Sequence, residues 1–134
     1  MNFQNINWLA AIAAGLSSFL VGGFWYSNIL FANAWMVDSK TTAEDIKASN
    51  KAKIFGFTAL FSILMALNIA MFLSGPGTNW LWGASAGFLA GIWTFCAIAI
   101  HSLFELKSWR LIFINGGYSI VSLTLMGLII GFWR

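Results

Sequence analysis

Three long stretches of the chain contain no charged side chain: residues 1–37, 54–104 and 111–133. A helix rises about 1.5 Å per residue, so about 20 apolar residues cross a hydrocarbon core of about 30 Å. The middle stretch is long enough for two such helices, and the turn-forming segment 74–79, which holds the only proline, divides it. The pattern therefore predicts four transmembrane helices, at about residues 8–31, 54–73, 80–103 and 110–133.

Two other interpretations of the apolar segments fail. Strands of a membrane β-barrel alternate apolar and polar residues over about ten positions, and segments such as 63–67 and 122–130 show no such alternation. A cleaved signal peptide needs basic residues before its apolar region, but residues 1–7 contain no Lys or Arg and the apolar run continues past the alanines at 10–14. We therefore expect the first apolar segment to be a retained span.

The composition supports the same class. Of the 134 residues, 8% are charged and 60% are hydrophobic, whereas about 25% of residues are charged in a typical soluble domain. This excludes a soluble fold, which needs a polar surface, and a disordered chain, which is poor in apolar residues. The sequence predicts an all-α integral membrane protein with a single domain over residues 1–134.

The positions of the basic residues predict the orientation. Six of the seven Lys and Arg residues lie in or beside the two loops that join span 1 to span 2 and span 3 to span 4; the seventh is Arg134. Basic loops stay on the cytoplasmic side, so we expect a multi-pass protein of the bacterial inner membrane with both termini outside. Seven scattered cations do not form the dense basic face of a nucleic-acid-binding protein, so the expected partner is the lipid bilayer.

The cytoplasmic loop of residues 32–53 contains a predicted helix. Thr41 and Glu44 have the spacing of a capping box, with Thr41 as the N-cap. A short cytoplasmic helix would then begin at about Thr42 and run towards span 2, with a break at Ser49-Asn50. We interpret it as a solvated link; the alternative is a docking site for a partner or for anionic lipid, because three lysines lie near the membrane.

The chain contains an internal repeat. Asn7-Trp8-Leu9 recurs as Asn79-Trp80-Leu81, and Gly23-Phe24-Trp25 is paralleled by Gly91-Ile92-Trp93. Each half then holds two spans, and an even number of spans gives both halves the same orientation. The sequence predicts two repeated helical hairpins related by a pseudo-twofold axis along the membrane normal.

Two motifs give the chain a family resemblance. The first is Trp25-Tyr26-Ser27, which is followed by Ala34-Trp35; the second is Asn115-Gly116-Gly117-Tyr118 in the last span. With them the chain resembles, over nearly its whole length, the bacterial membrane protein family known as domain of unknown function 1761. The resemblance implies a four-span bacterial membrane protein and no particular activity. Many members of that family carry His at the position of Ser119, so a role of that histidine would not transfer.

Small residues at helical spacing form stripes on three spans. Such spacing lets helix backbones approach closely, and close packing drives helix association in lipid. From the repeat we predict that spans 1 and 3 cross near Gly15 and Gly87. Packing within one chain is the favoured interpretation; the alternative is a seam between copies, for which Gly127 and Gly131 are a second candidate. The candidate helix-packing residues are Gly15, Ser18, Gly22, Gly83, Gly87, Gly91, Gly127 and Gly131.

Polar residues near the basic loops are the candidate chemistry. His101 and Glu105 lie on one face of span 3 and can hold a metal or relay a proton. The interpretation we favour is that Glu105 lies among the headgroups and pairs with Lys107, Arg110 or His101. A polar stripe on span 4 either packs by hydrogen bonds or lines a path whose cytoplasmic mouth adjoins His101 and Glu105. The candidate polar site is His101, Glu105, Asn115, Tyr118 and Ser119.

Three classes of function remain. One His and one Cys do not supply the ligands of a metal site, so we expect no metal, no cofactor and no catalytic set. We favour a non-enzymatic bundle that acts through association or as a scaffold and forms a homo-oligomer, with a dimer favoured. The second class is a homo-oligomeric permeation protein for small solutes or lipophiles. The third is a membrane enzyme that uses His101 and Glu105 on a lipid or another lipophilic ligand.

Overall fold

The computed structural model of the protein describes Gln4 and residues 6–133. This part of the chain contains no β-strand and six α-helices: α1 (Trp8–Trp25), α2 (Ala32–Ser39), α3 (Ala43–Ala48), α4 (Lys51–Phe72), α5 (Trp80–Phe104) and α6 (Trp109–Phe132). Four of them, α1, α4, α5 and α6, are long and apolar enough to cross a membrane. The predicted class, an all-α membrane protein with four spans, is confirmed.

Each of the four long helices begins directly after an N-cap residue with a short polar side chain. The side-chain oxygen of each cap accepts a hydrogen bond from the backbone N–H three residues further on, which satisfies a donor that the first helical turn leaves without a partner. The four N-caps are Asn7, Asn50, Asn79 and Ser108. Asn50 thereby confirms the predicted break between the loop helix and span 2.

The first span is shorter than predicted. It was expected to continue to about residue 31, but α1 ends at Trp25, and residues 26–31 turn back. The Ser27 hydroxyl donates to the Phe24 carbonyl oxygen, a local bond that competes with helical hydrogen bonding. The Trp25 ring then packs on that of Phe31, with the ring centroids 4.9 Å apart. The prediction extended the span because residues 26–31 are mainly apolar, whereas in the structure these contacts end the helix at Trp25.

The loop between α1 and α4 holds two short helices instead of one. The helix α2 was not predicted; it ends at Ser39, and its C-cap residue Lys40 has the left-handed conformation (φ 58°). The predicted capping box is displaced by one residue: the N-cap of α3 is Thr42, which exchanges hydrogen bonds with Asp45. Thr41 and Glu44 had the same spacing, so only the backbone path decided between the two pairs.

The two basic loops lie at the same end of the bundle. The long helices alternate in direction, and an ion pair between Asp38 of α2 and Arg110 of α6 joins the two loops directly. We call this the basic end; the turn of residues 74–79 lies at the opposite end. There the Asn7 side-chain amide donates to the Trp133 carbonyl oxygen. Arg134, the one cation predicted for this end, lies outside the described residues.

Helix α6 is the centre of the bundle. It packs against α1, α4 and α5, and α2 rests on its first turns, whereas the extensive contacts of α5 are with α6 alone. In the predicted repeat, α1 corresponds to α5 and α4 corresponds to α6, so a twofold axis would make the α4–α5 contact as extensive as the α1–α6 contact. The α1–α6 contact is extensive and the α4–α5 contact is not, so the internal repeat and its axis stay predictions.

Helices α5 and α6 meet backbone to backbone. Residue numbers rise along α5 as they fall along α6, so that Gly83 faces Gly127, and Gly87 faces Leu123. A methyl group on Gly83 or on Gly127 would overlap the carbonyl oxygen of the other residue. Because a hydrogen takes that place, each Cα–H group points at a carbonyl oxygen of the facing helix, a weak attraction that recurs where helices pack this closely.

The predicted crossing of spans 1 and 3 is wrong. Gly15 packs on α4, where a Cβ atom at Gly15 would lie 2.9 Å from the Cα atom of Ile63, and Gly87 packs on α6. Gly127 and Gly131 face Gly83 and Asn79 of the same chain, so this stripe is not free for a seam between copies. The stripe pattern identifies residues that permit close approach, but it carries no information on which helix approaches.

The apolar core fills the half of the bundle at the opposite end. It combines small residues of α1 with larger ones of α4 and α6, and Leu73 and Met126 are its largest fully buried members. The core residues are Ile6, Ala11, Ala14, Ala66, Ile69, Ala70, Leu73, Ala86, Leu123, Met126 and Ile130. The polar contacts described below lie mostly in the other half.

The glycine contact yields a stability prediction. Gly127→Ala places a methyl group against the Gly83 carbonyl oxygen and forces α5 and α6 apart, which we expect to lower the free energy of unfolding by about 1–3 kcal/mol. Gly56→Ala is the matched control, because no atom lies within 4 Å of a Cβ there and alanine favours a helix by about 0.5–1 kcal/mol. Unfolding in detergent, followed by circular dichroism, measures both; equal stabilities would contradict the packing.

Candidate functional site

His101 and Glu105 lie in and just after the last turn of α5, and both are exposed. Neither side chain has a hydrogen bond or an ion pair with any residue that the structure describes. The predicted pairing of Glu105 with Arg110 is wrong, because Arg110 binds Asp38. The structure also gives His101 and Glu105 no contact with the polar residues of α6.

Asn115 and Tyr118 instead join α6 to the end of α1. The Tyr26 hydroxyl donates to Oδ1 of Asn115 at 2.8 Å, and the Tyr118 hydroxyl donates to the Ser18 carbonyl oxygen at 3.0 Å. The rings of Tyr26 and Tyr118 meet edge to face, with their centroids 5.5 Å apart. The Ser119 hydroxyl bonds back to the Asn115 carbonyl oxygen of its own helix at 3.4 Å. The side chains of Tyr26, Asn115, Tyr118 and Ser119 therefore form a polar cluster between α1 and α6.

The other residues of the family-like motifs surround this cluster. The indole N–H of Trp25 donates to the Ile114 carbonyl oxygen at 2.8 Å. Gly117 leaves room for the same indole, since a Cβ atom there would lie 3.1 Å from it. The Trp35 ring meets the Tyr26 ring edge to face at 6.0 Å. The motif thus fixes the turn after α1 and the helix α2 onto α6, a role that the sequence resemblance did not reveal.

A cavity of about 480 Å³ lies beside the cluster, between α1, α4 and α6. Its walls combine the rings of Phe19 and Phe55 with hydroxyl groups of Thr58 and Tyr118. The Thr58 hydroxyl is bonded to the Ile54 carbonyl oxygen of its own helix. The cavity belongs to the half of the bundle at the basic end, because the apolar core fills the other half.

Two serines extend the polar contacts towards the core. The hydroxyl oxygens of Ser18 and Ser62 are buried and lie 3.0 Å apart, which joins α1 to α4. Gly22 packs against the Tyr118 hydroxyl, with a Cβ atom there only 3.3 Å away. Ser122 is buried too, and its hydroxyl has no hydrogen-bond partner among the described residues. The polar stripe predicted on span 4 is therefore only partly used between helices: Asn115 and Tyr118 bond to α1, whereas Ser119 bonds within α6.

A second polar contact joins α2 to the start of α6 at the basic end. Arg110 binds both carboxylate oxygens of Asp38, at 2.7 and 2.6 Å, and the Ser108 hydroxyl donates to the same carboxylate at 2.8 Å. These bonds hold the pKa of Asp38 at about 2, below its usual value of 3.8. The partners are 72 residues apart, so no local spacing in the sequence indicated the contact.

The Asp38 contact predicts a dependence of stability on pH. A carboxyl group with a lowered pKa stabilises the folded state above its unfolded pKa, near 4, and this stabilisation is lost as the pH falls towards 2. We expect wild type to melt at a higher temperature than Asp38→Asn at neutral pH, and the difference to shrink between pH 4 and pH 2. Glu105→Gln, whose glutamate has no such bonds, is the control. A difference that is the same at pH 2 and pH 7 would contradict the assignment.

The four membrane-length helices define a small multi-pass membrane protein with a polar cluster at one end. In the part of the chain that the structure describes, no group of three or more His, Cys, Asp or Glu side chains could hold a metal. The model of the family described as "Protein of unknown function (DUF1761)" matches residues 9–131. The chain therefore belongs to this family, as the two motifs indicated. No curated protein and no solved structure matches the chain.

Proposed function

We propose that this protein is a non-enzymatic helical bundle that acts through association with protein in the bacterial inner membrane, as a subunit or scaffold. One observation carries the proposal. Since α5 packs extensively on α6 alone, an apolar cleft of about 310 Å³ stays open between α4 and α5. The cleft is a preformed surface on which another membrane helix can pack.

The arrangement of the polar groups favours association with another protein over catalysis. Catalysis needs a reactive group with a positioned acid or base beside it, and His101 and Glu105 stand outside the polar cluster without partners in the described part of the chain. The hydroxyls of Tyr26 and Tyr118 are used to hold α1 on α6. These polar groups therefore serve to hold the helices together.

The proposed orientation places the basic end in the cytoplasm and both termini outside. Positive loops are retained on the cytoplasmic side, where anionic lipid headgroups attract them. The residues that support this orientation are Lys40, Lys47, Lys51, Lys53, Lys107 and Arg110. The bilayer itself is then the first partner of the protein.

Photocrosslinking in living cells tests the association. A benzophenone amino acid at Leu89, which lines the cleft, is expected to give a protein adduct of defined mass on illumination. The same probe at Leu20 is the control, because that leucine is 79% exposed on α1 and does not line the cleft. Adducts at neither position, or equally at both, would contradict the proposal.

A second proposal is that the 480 Å³ cavity holds a lipid or another lipophilic ligand. Its aromatic walls suit an acyl chain, and its hydroxyls suit an ester or headgroup oxygen. Gly23→Leu projects a side chain into this cavity, where no atom lies within 4 Å of a Cβ, and is expected to reduce the lipid retained by the purified protein in native mass spectrometry. Gly56→Leu, at an equally open position outside the cavity, is the control; equal retention by both variants would contradict the proposal.

A further inference from the structure

The cavity of about 480 Å³ lies where α1 and α4 separate towards the basic end. The two helices are in contact at Gly15, where a Cβ atom would lie 2.9 Å from the Cα atom of Ile63. Gly23, two turns further along α1, lines the cavity, and no atom lies within 4 Å of a Cβ there. On the other wall, Ile54 and Phe55 belong to the first two turns of α4. The cavity therefore begins close to the level of the basic loops.

Lys51 lies on the face of α4 that lines this cavity. Residues three and four positions apart share a face of a helix. Ile54 and Phe55 line the cavity and follow Lys51, the first residue of α4, by three and four positions. Because a helix rises about 1.5 Å per residue, Lys51 is about 5 Å nearer the basic end than these two residues. The cavity therefore has a cationic residue at its edge.

Neutral acceptors hold the Lys51 ammonium group in place. Its Nζ atom donates to the Ile46 carbonyl oxygen, near the end of α3, and to the Ser49 hydroxyl at 3.1 Å. Ile46 lines a neighbouring cavity of about 330 Å³ together with Tyr26, and Tyr26 also lines the larger cavity. The bond to Ile46 therefore keeps the ammonium group near the boundary between the two cavities.

The charge of Lys51 is not neutralised within the described part of the chain, where no carboxylate forms an ion pair with it. Asp38 is bound by Arg110, and Asp45 accepts the backbone N–H of Thr42. The basic end as a whole has six Lys and Arg residues and four Asp and Glu residues, a net charge of +2. An ammonium group has three N–H donors, so Lys51 keeps one donor besides its two bonds. The group that complements this edge of the cavity is an anion.

An anionic phospholipid has its groups in the same order as this site. Below Lys51, the rings of Phe19 and Phe55, with centroids 6.4 Å apart, form an apolar wall. Thr58 lines the cavity about 10 Å further towards the middle of the membrane. A phospholipid likewise carries its phosphate at the surface and its acyl chains below. A zwitterionic lipid brings an ammonium group that offsets its phosphate, whereas an anionic lipid offers Lys51 an uncompensated negative charge.

We propose that the cavity binds an anionic phospholipid, with the upper part of one acyl chain against Phe19 and Phe55 and the phosphate bound to the Lys51 ammonium group. This inference rests on the second proposal above, that the cavity holds a lipid, and names the class of that lipid. A soluble phosphate ester has the same charge, but it leaves the apolar cavity below Lys51 empty. The lipid satisfies both the charge and the apolar walls.

Native mass spectrometry of the detergent-purified protein, titrated with dioleoyl phosphatidylglycerol or dioleoyl phosphatidylethanolamine, measures the selectivity. Wild type is expected to bind phosphatidylglycerol more tightly. We expect Lys51→Gln to weaken that binding about fivefold, the effect of one lysine near an anionic headgroup, and to leave phosphatidylethanolamine binding unchanged. Lys51→Arg keeps the charge and is expected to bind as wild type does.

Lys53→Gln is the matched control. It removes the same charge from the first turn of α4, but two positions correspond to about 200° around a helix, and Lys53 does not line the cavity. We expect it to weaken phosphatidylglycerol binding less than about twofold, because an exposed charge acts on the lipid only through screened, long-range attraction.

The failure of this inference is distinguishable from the failure of the lipid proposal. Equal losses in Lys51→Gln and Lys53→Gln, a loss for both lipids, or equal binding of the two lipids by wild type overturns the anionic lipid at Lys51. If Gly23→Leu still retains less lipid, the cavity holds a lipid and only its class changes. Unchanged retention by Gly23→Leu overturns both. Displacement of phosphatidylglycerol by glycerol 3-phosphate, which has no acyl chain, overturns a phospholipid as the ligand.

Discussion

The backbone contact between α5 and α6 is the constraint on which the rest of the bundle depends. In lipid there is no hydrophobic force to bring helices together, so the closeness of packing decides which helices associate. Gly83 and Gly87 let α5 approach α6 until Cα–H groups meet carbonyl oxygens. This contact sets α6 at the centre, where its other faces receive α1 and α4. It also leaves the cleft between α4 and α5 open.

The polar side chains in the described part of this protein fall into two sets. One set forms hydrogen bonds between helices, and the other lies on an exposed cleft with groups that have no partner there. At the basic end, the hydroxyls of Tyr26 and Tyr118 and the indole of Trp25 all bond across the contact between α1 and α6. On the lipid-facing cleft, Asn68 and Trp93 retain groups for which the described chain provides no partner. Because an unmet hydrogen bond is most costly in hydrocarbon, the second set indicates where contact with another molecule is worth most.

The candidate site could be predicted only in part. Asn115 and Tyr118 stood out as polar residues in an apolar span, and the structure places both in one cluster. Their partner Tyr26 was marked by the family resemblance alone, because 89 residues separate it from Asn115. His101 and Glu105 share a helix face, yet a shared face does not reveal whether that face meets another helix, and theirs is exposed. Partners that are distant in sequence depend on packing, which no local spacing encodes.

The sequence by itself determined the class of the protein and the number of its spans, because the bilayer sets a minimum length of apolar helix and excludes charges from it. It also placed the starts of α4, α5 and α6 to within three residues, at about 54, 80 and 110, because these starts depend on the local caps Asn50, Asn79 and Ser108. Only the tertiary structure decided that Gly15 meets Ile63 and that Gly87 meets α6. A small residue permits close approach from any neighbour, and the neighbour is chosen by how all the helices fit together.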